Sequence, residues 1–201
     1  LKTGEKMIFL LILSAIVSQA PGTVILNEVM YNPDGVTLGL DDHLEWIEIF
    51  NSSTEAVNLS GMMISDGNNQ VYLGHYLLSP GSFGVICAND ESFKAVYGNS
   101  IRLVPWSGEW TRLRNSSDEI ILYSEDGTVM ESLRYEESWG ANGAEPSRAD
   151  GGGASLERKN AAGPDDETNW QPSEDYANPT PDNGGDSVCW GTPGAENSIS
   201  D

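Results

Sequence analysis

The chain has 201 residues, with 31 Asp and Glu against 10 Lys and Arg, a formal net charge of −21 and an apolar content of 38%. No cluster of Lys and Arg is present to displace counterions from a nucleic acid or to adhere to anionic lipid, so both are excluded as direct ligands. Six Trp and seven Tyr can fill a core, and the length suits one domain.

Residues 1–20 read as a secretory signal. Lys2 and Lys6 precede an apolar run over 7–17 that is shorter than the ~20 residues needed to span a bilayer. Ser18 and Ala20 are small at the positions that precede a cut after Ala20, although Pro21 disfavours that bond. The expected product has no membrane span and is secreted or held at the cell surface. Its charge is 8 cations minus 30 anions, or −22. Export also places Cys87 and Cys189 in an oxidising compartment, where they either bridge or stay as two separate buried thiols.

The mature chain alternates short strands with turns. Residues 23–31 are β-branched and apolar, and Asn32-Pro33-Asp34-Gly35 ends them. In E-W-I-E-I-F at 45–50, Ile47 and Ile49 share one face while Trp46, Glu48 and Phe50 share the other. Weaker strands follow over 57–65 and 71–73, then an apolar one over 83–88. Asp90 is the expected cap of a short helix near 92–97, with Phe93, Val96 and Tyr97 on one side and Gly98 at its end. Strands over 101–104, 119–124 and 128–135 complete a core over 21–135. The pattern predicts at least seven strands in two antiparallel sheets and about one helix: an all-β sandwich. Residues 136–201 are rich in Gly, Pro, Asp and Asn. They are expected to form a loop-rich C-terminal extension that packs on and closes the same domain, pinned by Trp170, with S-L-E-R at 155–158 as an island of order.

Glu28, Glu45 and Glu48 lie among apolar strand residues. They suit the solvent-facing side of antiparallel strands. A second reading ties Glu28 or Glu48 to Arg158 in a structural ion pair that anchors the extension. Catalysis finds little support. The nearest approach to G-x-S-x-G, at 80–84, has Pro80 in place of the first Gly, and His43 and His75 are isolated. His43 and Glu45 beside Asp41 and Asp42 could gather a metal, but such a string is more often an exposed polar loop. Loop acids Asp34, Asp41, Asp42, Asp165, Asp166, Asp182 and Asp186 could hold calcium weakly. None fits a twelve-residue calcium loop, so no cofactor is assigned. Trp106 and Trp110 sit in loop-like contexts where a sugar-binding sandwich would place its platforms.

V-I-L-N-E-V-M-Y-N-P at 24–33, E-W-I-E-I-F-N at 45–51 and V-N-L-S-G-M-M-I-S-D-G at 57–67 occur in order. L-S-P-G-S-F at 78–83, S-S-D-E-I-I-L-Y at 116–123, S-L-E-R, N-W at 169–170 and G-T-P-G-A-E-N-S at 191–198 continue the series. Together they resemble the lamin tail domain in the exported form found in prokaryotic proteins. The resemblance implies an immunoglobulin-like β-sandwich and a non-catalytic module. The expected function is attachment or protein–protein contact at the cell exterior, with a partner that the sequence leaves unknown. Two alternatives stay open: a carbohydrate-binding module using Trp106 and Trp110, and a metal-dependent hydrolase using the acidic loops.

Overall fold

The computed structural model describes residues 23–33, 41–143, 145–174 and 191–200. Twelve strands dominate them. The first sheet has the order β12-β11-β1-β2-β7, built from β1 (Val24–Met30), β2 (Trp46–Asn51), β7 (Phe83–Cys87), β11 (Leu156–Arg158) and β12 (Trp170–Pro172). The second has the order β10-β9-β4-β5-β8, from β4 (Met63–Ser65), β5 (Gln70–Leu73), β8 (Trp106–Gly108), β9 (Ser117–Tyr123) and β10 (Val129–Glu136). A ribbon of β3 (Val57–Asn58) and β6 (Leu77–Leu78) lies beside them. Every strand pair is antiparallel. The helices are α1 (Asp41–Leu44) and α2 (Asp90–Tyr97), and no helix among the described residues is long and apolar enough to cross a membrane. The expected immunoglobulin-like β-sandwich is what the chain forms.

Alternation explains the sandwich. Ile47 and Ile49 point into the core between the sheets, against Ile64, Leu122 and Leu133, while Trp46 points outward. Tyr31 and Tyr135 stack there with centroids 4.4 Å apart. In β1 the alternation slips by one residue, because the register shifts between Leu26 and Glu28. The slip leaves both Leu26 and Val29 in the core. The backbone groups that it frees from the ladder find charged partners: the Leu26 N–H donates to Glu131 and the Leu26 carbonyl accepts from Arg158 Nε at 2.7 Å.

The extension contributes more order than expected. β11 hydrogen-bonds to β1 and carries β12 on its far side, with Trp170 fully buried. The stretch expected as a strand over 101–104 is reduced to one parallel bridge between Val85 and Leu103. Helix α1 lies where sequence reading had only a polar loop.

Candidate functional site

The outer face of the first sheet was expected to meet solvent, and it does not. At one end α2 covers it. Asn89 caps this helix by accepting the Ser92 N–H at 2.9 Å, and Gly98 ends it with φ +83°. Phe93, Val96 and Tyr97 pack on Trp46, Val85 and Cys87. Trp46 meets Phe93 and Tyr97 edge-on, and its indole N–H donates to the Tyr97 hydroxyl at 3.2 Å.

Beyond α2, three carboxylates lie side by side on adjacent strands. Glu28 of β1 is opposite both Glu48 of β2 and Glu157 of β11, and all three are completely buried. The C-terminal segment 191–198 closes over them. The Thr192 N–H donates to Glu28 Oε1 at 2.9 Å, beside the Ser155 hydroxyl. Thr192 Oγ1 lies 3.2 Å from Glu28 Oε2 and 3.1 Å from Glu157 Oε1. The Gly194 N–H donates to Glu48 Oε2, and Asn27 Nδ2 donates to Glu48 Oε1 at 2.9 Å. The Ser198 hydroxyl donates to Glu157 Oε2 at 2.7 Å. Asn197 locks the segment by donating to the carbonyls of Asn27 and Arg158 at 3.1 and 2.7 Å. The approach is close: a Cβ on Gly191 would stand 2.9 Å from a Glu28 oxygen and 3.3 Å from the Trp46 ring. Only glycine lets the segment lie this near the sheet.

This arrangement corrects two expectations. Glu28, Glu45 and Glu48 are buried, because the chain's own later segments cover them. Arg158 pairs with neither Glu28 nor Glu48. Its guanidinium reaches Glu131 and Asp165 and lies over the Trp170 ring, 4.8 Å from the centroid. Neighbouring residues of a strand point to opposite faces, so Glu157 joins the acids while Arg158 turns to the other side.

Burial pushes Glu28 well above the usual carboxylate range, and the charges of Glu48 and Glu157 push it further. Glu48 is raised to about 8, chiefly by burial, although the Gly194 N–H and Asn27 pull it partly back. Glu131 is raised to about 7 by burial against the opposing pull of Arg158.

Two clefts flank the covering segment. One, of about 750 Å³, is walled by Phe83, Ser100, Arg102, Pro193 and Gly194. The other, of about 430 Å³, is walled by Phe50, Phe83, Lys159, Glu196 and Asn197. Phe83 lines both, and its ring centroid lies 4.9 Å from that of Phe50 in the smaller cleft.

The remaining candidates are dispersed. Trp106 and Trp110 do not form an open platform. Trp110 is buried and donates its indole N–H to Glu45 at 2.6 Å, and Trp106 packs on the core with its N–H on the Cys87 carbonyl at 2.9 Å. Glu45 therefore turns inward while Asp42 and His43 stay exposed, so the three do not converge as metal ligands would. Asp34, Asp182 and Asp186 lie outside the described residues. No group of three His, Cys, Asp or Glu able to hold a metal is found among those described. Cys87 is buried on β7, and Cys189 lies outside the described residues, as does the signal segment 1–20. Sequence reasoning missed Glu157, Glu131, Thr192 and Gly194. The only available sign was the polar, donor-rich composition of 191–198, which does not reveal where that segment lands.

A family model described as Lamin Tail Domain matches residues 17–137. No curated protein and no solved structure matches the chain.

Proposed function

We infer that this chain, which belongs to the lamin tail domain family, is a non-catalytic module for attachment or protein–protein contact at the cell exterior. Lamin tail domains are immunoglobulin-like protein-interaction modules. The carrying observation is that the dense set of buried acids found among the described residues is sealed by residues 191–198, so its carboxylates serve packing and not a substrate. Among the described residues, the two clefts beside it bring no histidine or cysteine to their walls. What they offer is a pair of aromatic rings, Phe50 and Phe83, framed by amides, hydroxyls and the charged Arg102, Lys159 and Glu196, a surface suited to contact. The signal-like pattern of residues 1–20 and the lack of a Lys and Arg cluster in the sequence support an exported, prokaryotic type of this domain over a nuclear one. The carbohydrate reading loses the two rings on which it rested, since Trp110 is buried and Trp106 packs on the core.

The test is expression of the whole chain in a secretion-competent bacterium, followed by fractionation and N-terminal sequencing. The recovered protein is then assayed on a hydrolase panel with and without EDTA, and on a glycan array. Export with a new N-terminus near residue 21 and silence in both assays is the expected result. Retention in the cytoplasm overturns the exported assignment. Turnover abolished by EDTA, or glycan binding lost in Trp106→Ala, overturns the contact reading in favour of the corresponding alternative.

A further inference from the structure

We propose that residues 191–198 are a proton-gated clasp, seated on the Glu28–Glu48–Glu157 ladder while the ladder retains a proton and released as the last protons leave. The geometry favours a proton. Thr192 has one hydroxyl hydrogen, yet its oxygen lies within hydrogen-bond distance of both a Glu28 and a Glu157 oxygen. With both carboxyls ionised the two oxygens share that single hydrogen. A second full hydrogen bond forms when one carboxyl is protonated and donates to Thr192.

Among the described residues, no Lys, Arg or His forms an ion pair with any of the three acids. Arg158, next in the chain to Glu157, is committed to Glu131 and Asp165. The one charged residue of the clasp, Glu196, lines the cleft that holds Lys159. From α2, Asp90 and Lys94 act on Cys87. β12 presents no titratable side chain. Three buried carboxylates without a cation cannot all ionise cheaply. The raised positions of Glu28 and Glu48 agree.

Opening relieves the cost by admitting water. The closed state binds protons more tightly than the open one, so rising pH favours opening. Pro193 and Gly194 wall one cleft, and Glu196, Asn197 and Ser200 wall the other, so release reshapes both. The clasp thereby regulates the surface assigned above to partner contact, but the device itself stands whether or not that assignment holds.

The experiment is hydrogen exchange by mass spectrometry on the intact chain from pH 5.5 to 8.5, corrected for intrinsic exchange. One proton held more tightly in the closed state raises the opening constant up to ~10-fold per pH unit between the closed and open pKa values. Protection of the peptide spanning 191–198 is expected to fall at least ~10-fold over this range, while β9 and β10 stay protected. Flat protection of the clasp, or equal loss in β9 and β10, overturns the proposal. Glu48→Gln keeps an oxygen for Gly194 but removes one titrating group, and a pH dependence as steep as in the wild type also overturns it. Thr192→Val removes the shared hydroxyl and is expected to move opening to lower pH. An unmoved opening midpoint counts against the proposal, and this variant and the wild-type series decide the matter if Glu48→Gln does not fold.

Discussion

Glu45 is buried, and one of its oxygens receives both the Trp110 indole N–H at 2.6 Å and the Leu113 N–H at 3.0 Å. Glu45→Ala leaves two buried donors unpaired, which costs about 2–4 kcal/mol. Urea unfolding is expected to show this loss, with Glu45→Gln recovering more than half of it by restoring an acceptor. Arg158 joins more parts of the fold than any other described cation. It holds Glu131, Asp165 and the Leu26 carbonyl at the bulge of β1. Arg158→Leu strands Glu131 without its cation and is expected to destabilise by about 3–5 kcal/mol. Cys87 belongs to this scale as well. Burial, with the charge of Asp90 3.5 Å from its sulfur, pushes the thiol up to about 12. The thiolate is the reactive form, so alkylation at pH 8 is expected to be at least ~100-fold slower in native than in urea-unfolded protein. Thiol titration of unfolded, unreduced protein separates this from a Cys87–Cys189 bridge: two reactive thiols exclude the bridge, and none establishes it.

Helix α2 shows how much of an element can be read before the structure is seen. The residue pattern around 92–97 predicts the helix, but the cap is Asn89 and not the expected Asp90, which with Glu91 forms a further helical pair at its start, because it is the Asn89 side chain that accepts the Ser92 N–H. Asn89→Ala is expected to cost about 1 kcal/mol through loss of the Ser92 hydrogen bond. Phe93→Ala is expected to cost about 3–5 kcal/mol, because it opens a cavity beneath Trp46. Thermal unfolding of the two variants checks both. The stretch over 57–65 was less legible. It reads as one weak strand but forms two, β3 and β4, on either side of a turn where Gly61 takes φ +82°. β3 pairs with β6 while β4 joins the second sheet. Alternation within nine residues cannot tell whether a chain continues in one sheet or changes to another. The segment over 101–104 has strand composition, yet only Leu103 finds a bridge partner, Val85 in the middle of the edge strand β7.

For the whole molecule, the raised carboxylates set the pH dependence. A carboxyl whose folded pKa lies above its unfolded value contributes stability that is fully present below about pH 4.5 and lost as pH rises through the folded pKa. Glu48 at about 8 and Glu131 at about 7 place that loss between pH 4.5 and 8, and Glu28 adds to it. The exposed Asp126 and Asp166 are held below their ordinary value by hydroxyl and backbone donors, so their contribution is lost only as pH falls through that lower range. The midpoint of urea unfolding is therefore expected to be highest near pH 5 and to decline toward pH 8.5, by an amount on the order of a few kcal/mol in free energy. Self-repulsion of a chain carrying −22 over residues 21–201 acts in the same direction, and added salt is expected to reduce only that part.

The alternation of strands and turns over most of the core, the all-β class and the two faces of β2 were determined by the sequence itself. Period-two alternation and turn residues act within a few positions of one another, where a linear reading can see them. Whether the opposite face of the first sheet is wet or dry was decided only in three dimensions. Thr192 reaches Glu28 across 164 positions, and Arg158 finds Glu131 across 27. A glutamate on a strand has the same local pattern whether water or a later segment covers it. The covering segment, and with it the protonation of the ladder, is therefore a property of the tertiary structure.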